Sequence, residues 1–92
     1  MRESRLEKIL KHRVEAQGGK TLKFVSPGTA GVPDRLVILP AGRIVFAEVK
    51  APGMKLRALQ VKRKQQLEQL GCQVYVVDSI ESIDRLLKEV SP

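Results

Sequence analysis

The chain has 92 residues, 17 Lys and Arg against 10 Asp and Glu, and a formal net charge of +7. Such a length predicts one domain, residues 1–92, with a core small enough that burial against a partner chain would help it. The lone Cys72 excludes an internal disulfide or a zinc knuckle, no apolar run reaches the length of a signal segment or a membrane span, and 3% aromatic content argues against base stacking as the main way of holding nucleic acid.

The spacing of Leu6, Ile9, Leu10 and Val14 predicts an amphipathic helix over about residues 3–17, ended by Gly18-Gly19. Glu3 and Glu7 flank its apolar stripe on one side, a turn apart, and Arg2, Arg5, Lys8, Lys11 and Arg13 take much of the rest. A short strand, Thr21 to Val25, is expected next. The loop Ser26-Pro27-Gly28-Thr29-Ala30-Gly31 follows; it either offers N–H groups and Ser26 or Thr29 to a phosphate or is a plain connector.

Pro33 holds Val32 extended, so Asp34 enters the strand Arg35–Leu39 from a fixed direction. Pro40-Ala41-Gly42 reads as a tight hairpin turn. The run from Ile44 to Lys50 is apolar on both of its alternating faces, which predicts a strand buried on both sides. Period two puts Glu48 and Lys50 on one face, and pairing across the hairpin brings Asp34 beside Glu48. Two carboxylates and a lysine at the end of a buried strand are costly unless something pairs with them. Together they make a candidate site for a hard divalent cation such as Mg²⁺ or Mn²⁺.

After the break at Ala51-Pro52-Gly53, a second helix is expected over about residues 56–70, capped by Gly71. Leu56, Leu59, Leu67 and Leu70 form its stripe, with Arg63 in the middle and Gln60 on the border. Arg63 either covers apolar surface with its stem or looks across the site toward a phosphate. Cys72 to Val77 predicts a strand, and Asp78-Ser79 caps a last helix over Ile80–Val90 with Ile83, Leu86 and Leu87 inward. The strand–helix–strand unit demands parallel strands and a right-handed crossover. The fold class is therefore α/β: a mixed sheet with helices on both faces, in the order α-β-β-β-α-β-α.

Residues 1–67 hold fifteen Lys and Arg against five acids, whereas residues 68–92 hold two against five. Between Glu15 and Glu68 the only acids are Asp34 and Glu48, among ten basic residues. A basic field around an isolated acidic pair suits a polyanion that must be bound and then meet a metal. Candidate phosphate contacts are Ser26 and Arg35 ahead of the hairpin. Lys55, Arg57, Lys62, Arg63 and Lys64 are candidates on and before the second helix.

Asp34, then Glu48-x-Lys50 after a hairpin, resembles the PD-(D/E)xK nuclease superfamily. The fuller pattern is Gly31-Val32-Pro33-Asp34-Arg35, Phe46-Ala47-Glu48-Val49-Lys50-Ala51-Pro52-Gly53, Leu56-x-x-x-Gln60 and Leu70-Gly71. It resembles the VRR-NUC family, in its small stand-alone form found in phages. The resemblance implies a restriction-endonuclease-like core and Mg²⁺-dependent hydrolysis of DNA. It also implies Asp34, Glu48 and the Val49 carbonyl as metal ligands, a first-helix glutamate completing the set, Lys50 as the group that orients the attacking water, and Gln60 as the family glutamine. Helical phase favours Glu7 for the helix acid, with Glu3 the alternative.

By likeness to the Holliday-junction resolvases of the superfamily, a symmetric homodimer acting on branched DNA is expected, its less basic C-terminal third meeting the partner. A monomer nicking flaps or single strands is the other nuclease reading. A non-catalytic nucleic-acid binder of this fold, or a small basic ribosome-associated or regulatory protein, leaves Asp34, Glu48 and Lys50 without a use. Neither a membrane nor a small-molecule cofactor is implied, no base-reading element stands out, and the expected location is the cytoplasm of a bacterial or phage-infected cell.

Overall fold

The computed structural model describes residues 1–90, and its elements run α1 (Glu3–Ala16), β1 (Lys20–Lys23), β2 (Arg35–Leu39), β3 (Arg43–Val49), α2 (Ala58–Gln69), β4 (Val74–Val77) and α3 (Ile80–Val90). This is the order expected. The strands form one sheet, β1-β2-β3-β4, antiparallel up to β3 and parallel between β3 and β4. A three-residue turn, Pro40–Gly42, closes the β2–β3 hairpin, with Leu39 opposite Arg43 as its last rung.

Leu6, Leu10 and Val14 share one face of α1 and are fully buried. They meet Val37 and Leu39 of β2, Val45, Ala47 and Val49 of β3, and Ile83, Leu86, Leu87 and Val90 of α3 in one cluster. An Arg13–Asp84 pair ties α1 to α3 across its rim. Ser79 begins α3 by accepting the Ser82 N–H on its Oγ, and the Ser82 Oγ accepts the N–H groups of Asp78 and Ser79, all at 3.1 Å. Those bonds satisfy amide groups that the helix itself leaves unpaired.

The other face of the sheet departs from expectation. Only the Glu48 end of β3 is covered on both sides; Ile44 is 57% exposed, and Phe46 is half-buried against the edge of Phe24. The cause is α2, the one helix crossing this face, which lies toward β4 and buries only Gln60. Its expected inward leucines are half-buried (Leu56, Leu67) or exposed (Leu59, Leu70). Pairing of β1 with β2 ends with the Phe24 N–H on the Asp34 carbonyl at 2.9 Å, after which Val25 turns outward. Among the described residues no helix is long and apolar enough to cross a membrane.

Candidate active site

The hairpin register sets Arg35 opposite Ala47, so the next rung places Asp34 beside Glu48, as the alternation predicts. Asp34 Oδ1 accepts the Val49 N–H at 3.1 Å, which fixes its carboxylate at the end of β3. Glu48 is buried, and its Oε1 accepts from Gln60 Nε2 at 3.4 Å. The same amide caps α2, its Oε1 taking the Arg57 N–H at 2.9 Å. Gln60 thus links the first turn of α2 to the strand that carries Glu48.

From the opposite face, the first two turns of α1 bring two more acids. Carboxylate oxygens of Glu3, Glu7 and Asp34 lie within 4.8 Å of one another. Phase singles out Glu7, yet both helix acids reach the rim. Glu7 also holds Arg35 Nη2 at 3.3 Å. Glu3 makes no ion pair among the described residues, and its charge bears on both Asp34 and Glu48.

The electrostatics record this crowding. Burial, then the neighbouring charge of Asp34, pushes the Glu48 carboxyl up to about 7 against the pull of Lys50. Asp34 is also raised, by burial first and then by Glu7 and Glu3, while the Val49 N–H opposes the shift. The donors are all oxygen, with no His or Cys among the grouped residues, and their mutual repulsion is what a hard cation would relieve. The residues present therefore fit a hard divalent metal.

The remaining candidates are spread more widely. Lys50 leaves β3 on the face of Glu48, half-buried, and Val49 puts its side chain into the core. The Arg63 Nε donates to the Ala30 carbonyl at 2.7 Å and its Nη1 to Gln66, so this guanidinium fastens the Ser26–Gly31 loop to α2. No feature of the sequence points to that strut, whose partner is a backbone oxygen far along the chain. Ser26 closes a turn with Thr29 within this loop, and Lys64 pairs with Glu68 at 3.0 Å. Lys55, Arg57 and Lys62, before and on α2, stay exposed without an ion pair among the described residues. A larger groove, about 670 Å³, lies at the far end of α1 beside His12, Arg13, Asp84 and Lys88, and none of Glu3, Glu7, Asp34 and Glu48 lines it.

A pH dependence follows from Glu48. Its folded value of about 7 lies above the 4.5 of an ordinary glutamate, so below about 4.5 both states are protonated and the shift costs nothing. Above that, the unfolded chain ionises freely and the folded one resists, so metal-free stability should fall as pH rises from about 4.5 to about 7, then level off. Asp34, also raised, adds in the same direction. Thermal melts in EDTA across this window, on the wild type and Glu48→Gln, measure the effect as a difference. A wild-type midpoint that climbs relative to the variant would contradict it.

Comparison with known proteins finds similarity in both sequence and structure. The “putative nuclease p44” of Acyrthosiphon pisum secondary endosymbiont phage 1 is 52% identical over 79 residues, spanning 86% of this chain and 85% of that protein. A solved structure described as a VRR_NUC domain matches with a TM-score of 0.87 at 39% identity, covering 94% of each chain. No family model matches the chain.

Proposed function

Because the chain belongs to the VRR-NUC family, we propose that it is a Mg²⁺- or Mn²⁺-dependent DNA endonuclease that works as a symmetric homodimer on branched structures such as four-way (Holliday) junctions. One observation carries the chemistry: the carboxylates of Glu3, Glu7 and Asp34 meet at one sheet rim and Glu48 stands beside Asp34 in the register, with Lys50 and Gln60 at hand, in a chain otherwise strongly basic there. Asp34 and Glu48 would hold the metal, the Val49 carbonyl adding a ligand as the family resemblance implies and the α1 acids completing the set. A bound divalent ion supplies a water of lowered pKa and Lewis-acid neutralisation of the phosphate.

This chain's own groups do the rest. Lys50, close enough to Glu48 to lower its pKa, would orient the attacking water and meet negative charge as it develops. Gln60 holds the Glu48 carboxylate in one orientation through the cap of α2. Lys55, Arg57 and Lys62 receive flanking phosphates.

The homodimer rests on a different face from the one that charge suggested. In the C-terminal third, Leu70 at its start is 81% exposed, and the large apolar side chains after it are buried or half-buried among the described residues. Uncovered apolar surface lies instead on the outer face of β1–β3, where Leu22 is 40% and Ile44 57% exposed on either side of half-buried Leu36 and Ile38. A second copy burying that patch would present two acidic rims related by a twofold axis, which suits paired nicks across a junction.

The test is cleavage of four-way, flap and linear DNA with Mg²⁺, Mn²⁺ or EDTA, alongside sedimentation of wild type and Ile44→Glu. Paired, symmetry-related nicks by a dimer, lost in a monomeric Ile44→Glu, are expected. A monomeric wild type making single unpaired nicks would sink the dimer and keep the nuclease. DNA binding without cuts under any metal would leave only a nucleic-acid binder of this fold.

A further inference from the structure

Apart from Arg13, the basic side chains of α1 have no role in what precedes. Ser4, Lys8 and Lys11 lie at helical spacing on one flank of the helix, next to Glu7. That flank faces the β1–β2 side of the sheet across a groove of about 250 Å³, lined by Ser4, Glu7, Lys8, Lys11, Thr21 and Arg35. A second hollow, over Arg2, Ser4, Arg5 and Lys8, shares two of these residues and continues the groove toward the start of the helix. Lys23 stands opposite Arg35 in the β1–β2 register, so alternation turns it to the same side as Thr21.

The charge of this trough is one-sided. Glu7 is the only acid lining either hollow, and Arg35 already pairs with it. Lys8, Lys11 and Lys23 are exposed and make no ion pair among the described residues. Lysine charges with the hydroxyls of Ser4 and Thr21 form a donor set suited to phosphate oxygens. The trough also starts at the acidic rim, since Glu7 belongs to both. Lys11 lies about 6 Å along the helix from Glu7, whereas each DNA strand carries a phosphate about every 3.4 Å of axis.

We propose that the trough between α1 and β1 is a second phosphate seat, gripping the DNA backbone a few nucleotides from the cut, on the opposite flank of the acidic rim from Lys55, Arg57 and Lys62. The scissile segment is then held from both sides of the sheet. This rests on the nuclease reading for its substrate, but its test does not need cleavage.

Binding of the 92-residue chain to a labelled duplex is titrated against salt in EDTA. Lys8→Gln/Lys11→Gln is compared with Arg85→Gln/Lys88→Gln, which removes as many charges from α3. Each lost phosphate contact lowers the slope of log K against log salt by about 0.9. The α1 pair should flatten the slope by about 1 to 2, the α3 pair should leave it within error of wild type, and Lys23→Gln, on a separate strand, should lose about 1. Equal changes in both double variants, or none in the α1 pair and Lys23→Gln, would overturn the proposal. If wild type binds with these slopes but never cuts, the nuclease reading fails and the seat stands. If wild type cuts and the slopes do not move, the seat alone fails.

Discussion

Replacing Asp34 or Glu48 with alanine should lower metal-dependent cleavage by at least about a hundredfold, beyond the ten- to hundredfold typical of outer-shell changes, while the chain stays folded and still binds DNA. Both carboxylates are raised in pKa by burial and by charges of their own sign, so neither is held in place by a favourable charge balance. Removing one relieves repulsion. Metal-free melting temperatures should therefore hold or rise, most clearly in Glu48→Gln, which keeps an acceptor for Gln60. Asp34→Ala also leaves the Val49 N–H without its acceptor, a loss of about 1 kcal/mol that Asp34→Asn avoids. The α1 acids should matter less, and Glu3→Gln more than Glu7→Gln, because the Glu3 charge reaches both Asp34 and Glu48 while Glu7 is shared with Arg35. Single-turnover cleavage of one DNA substrate by Asp34→Ala, Glu48→Ala, Glu3→Gln and Glu7→Gln ranks them. Wild-type rates in Asp34→Ala or Glu48→Ala would show the site to be elsewhere.

A large loss of stability should come from Gly31→Ala. Gly31 has φ +84°, and a Cβ there would stand 2.7 Å from the Leu59 carbonyl oxygen on α2. Left-handed backbone costs an alanine about 1–2 kcal/mol, and the collision adds roughly 1–3 kcal/mol because the obstacle is main chain. Gly28, in the same loop, has φ +82° and open space around it. Gly28→Ala should show the backbone cost alone, so the difference between the two variants isolates the contact with α2. At roughly 4–8 °C per kcal/mol for a domain of this size, the gap is easily read in thermal melts. Gly31→Ala should also slow cleavage, since pushing α2 away separates Gln60 from Glu48. Equal melting temperatures for the two variants would show that the loop does not bear on the helix.

Much of the site was legible because it depends on local rules. Period-two alternation, Pro33 and a three-residue turn suffice to set Asp34 against Glu48, and the structure has that register. The strand–helix–strand spacing likewise fixes β3 parallel to β4. What the sequence did not reveal depends on where whole elements rest. Glu3 and Glu7 share a helical flank and differ by about 6 Å of rise, so choosing between them requires knowing where α1 crosses the rim. Arg63 sits at an inward phase of α2, but its partner, the Ala30 carbonyl, exists only once the loop has folded beneath the helix. The two-sided burial foreseen for β3 assumed that α2 covers the whole strand, and Ile44 shows where that cover stops.

The sheet ends in two free edges, β1 and β4, each four residues long. Lys20 and Lys23 bracket β1, and charged ends of this kind on a short edge discourage another chain from adding a strand. A continuous intermolecular sheet is thereby disfavoured as a mode of self-association and as a route to amyloid-like stacking. An endless intermolecular sheet needs both edges, so guarding β1 leaves a single β4–β4 pairing as the only edge contact and otherwise turns copies of this chain toward faces and helices.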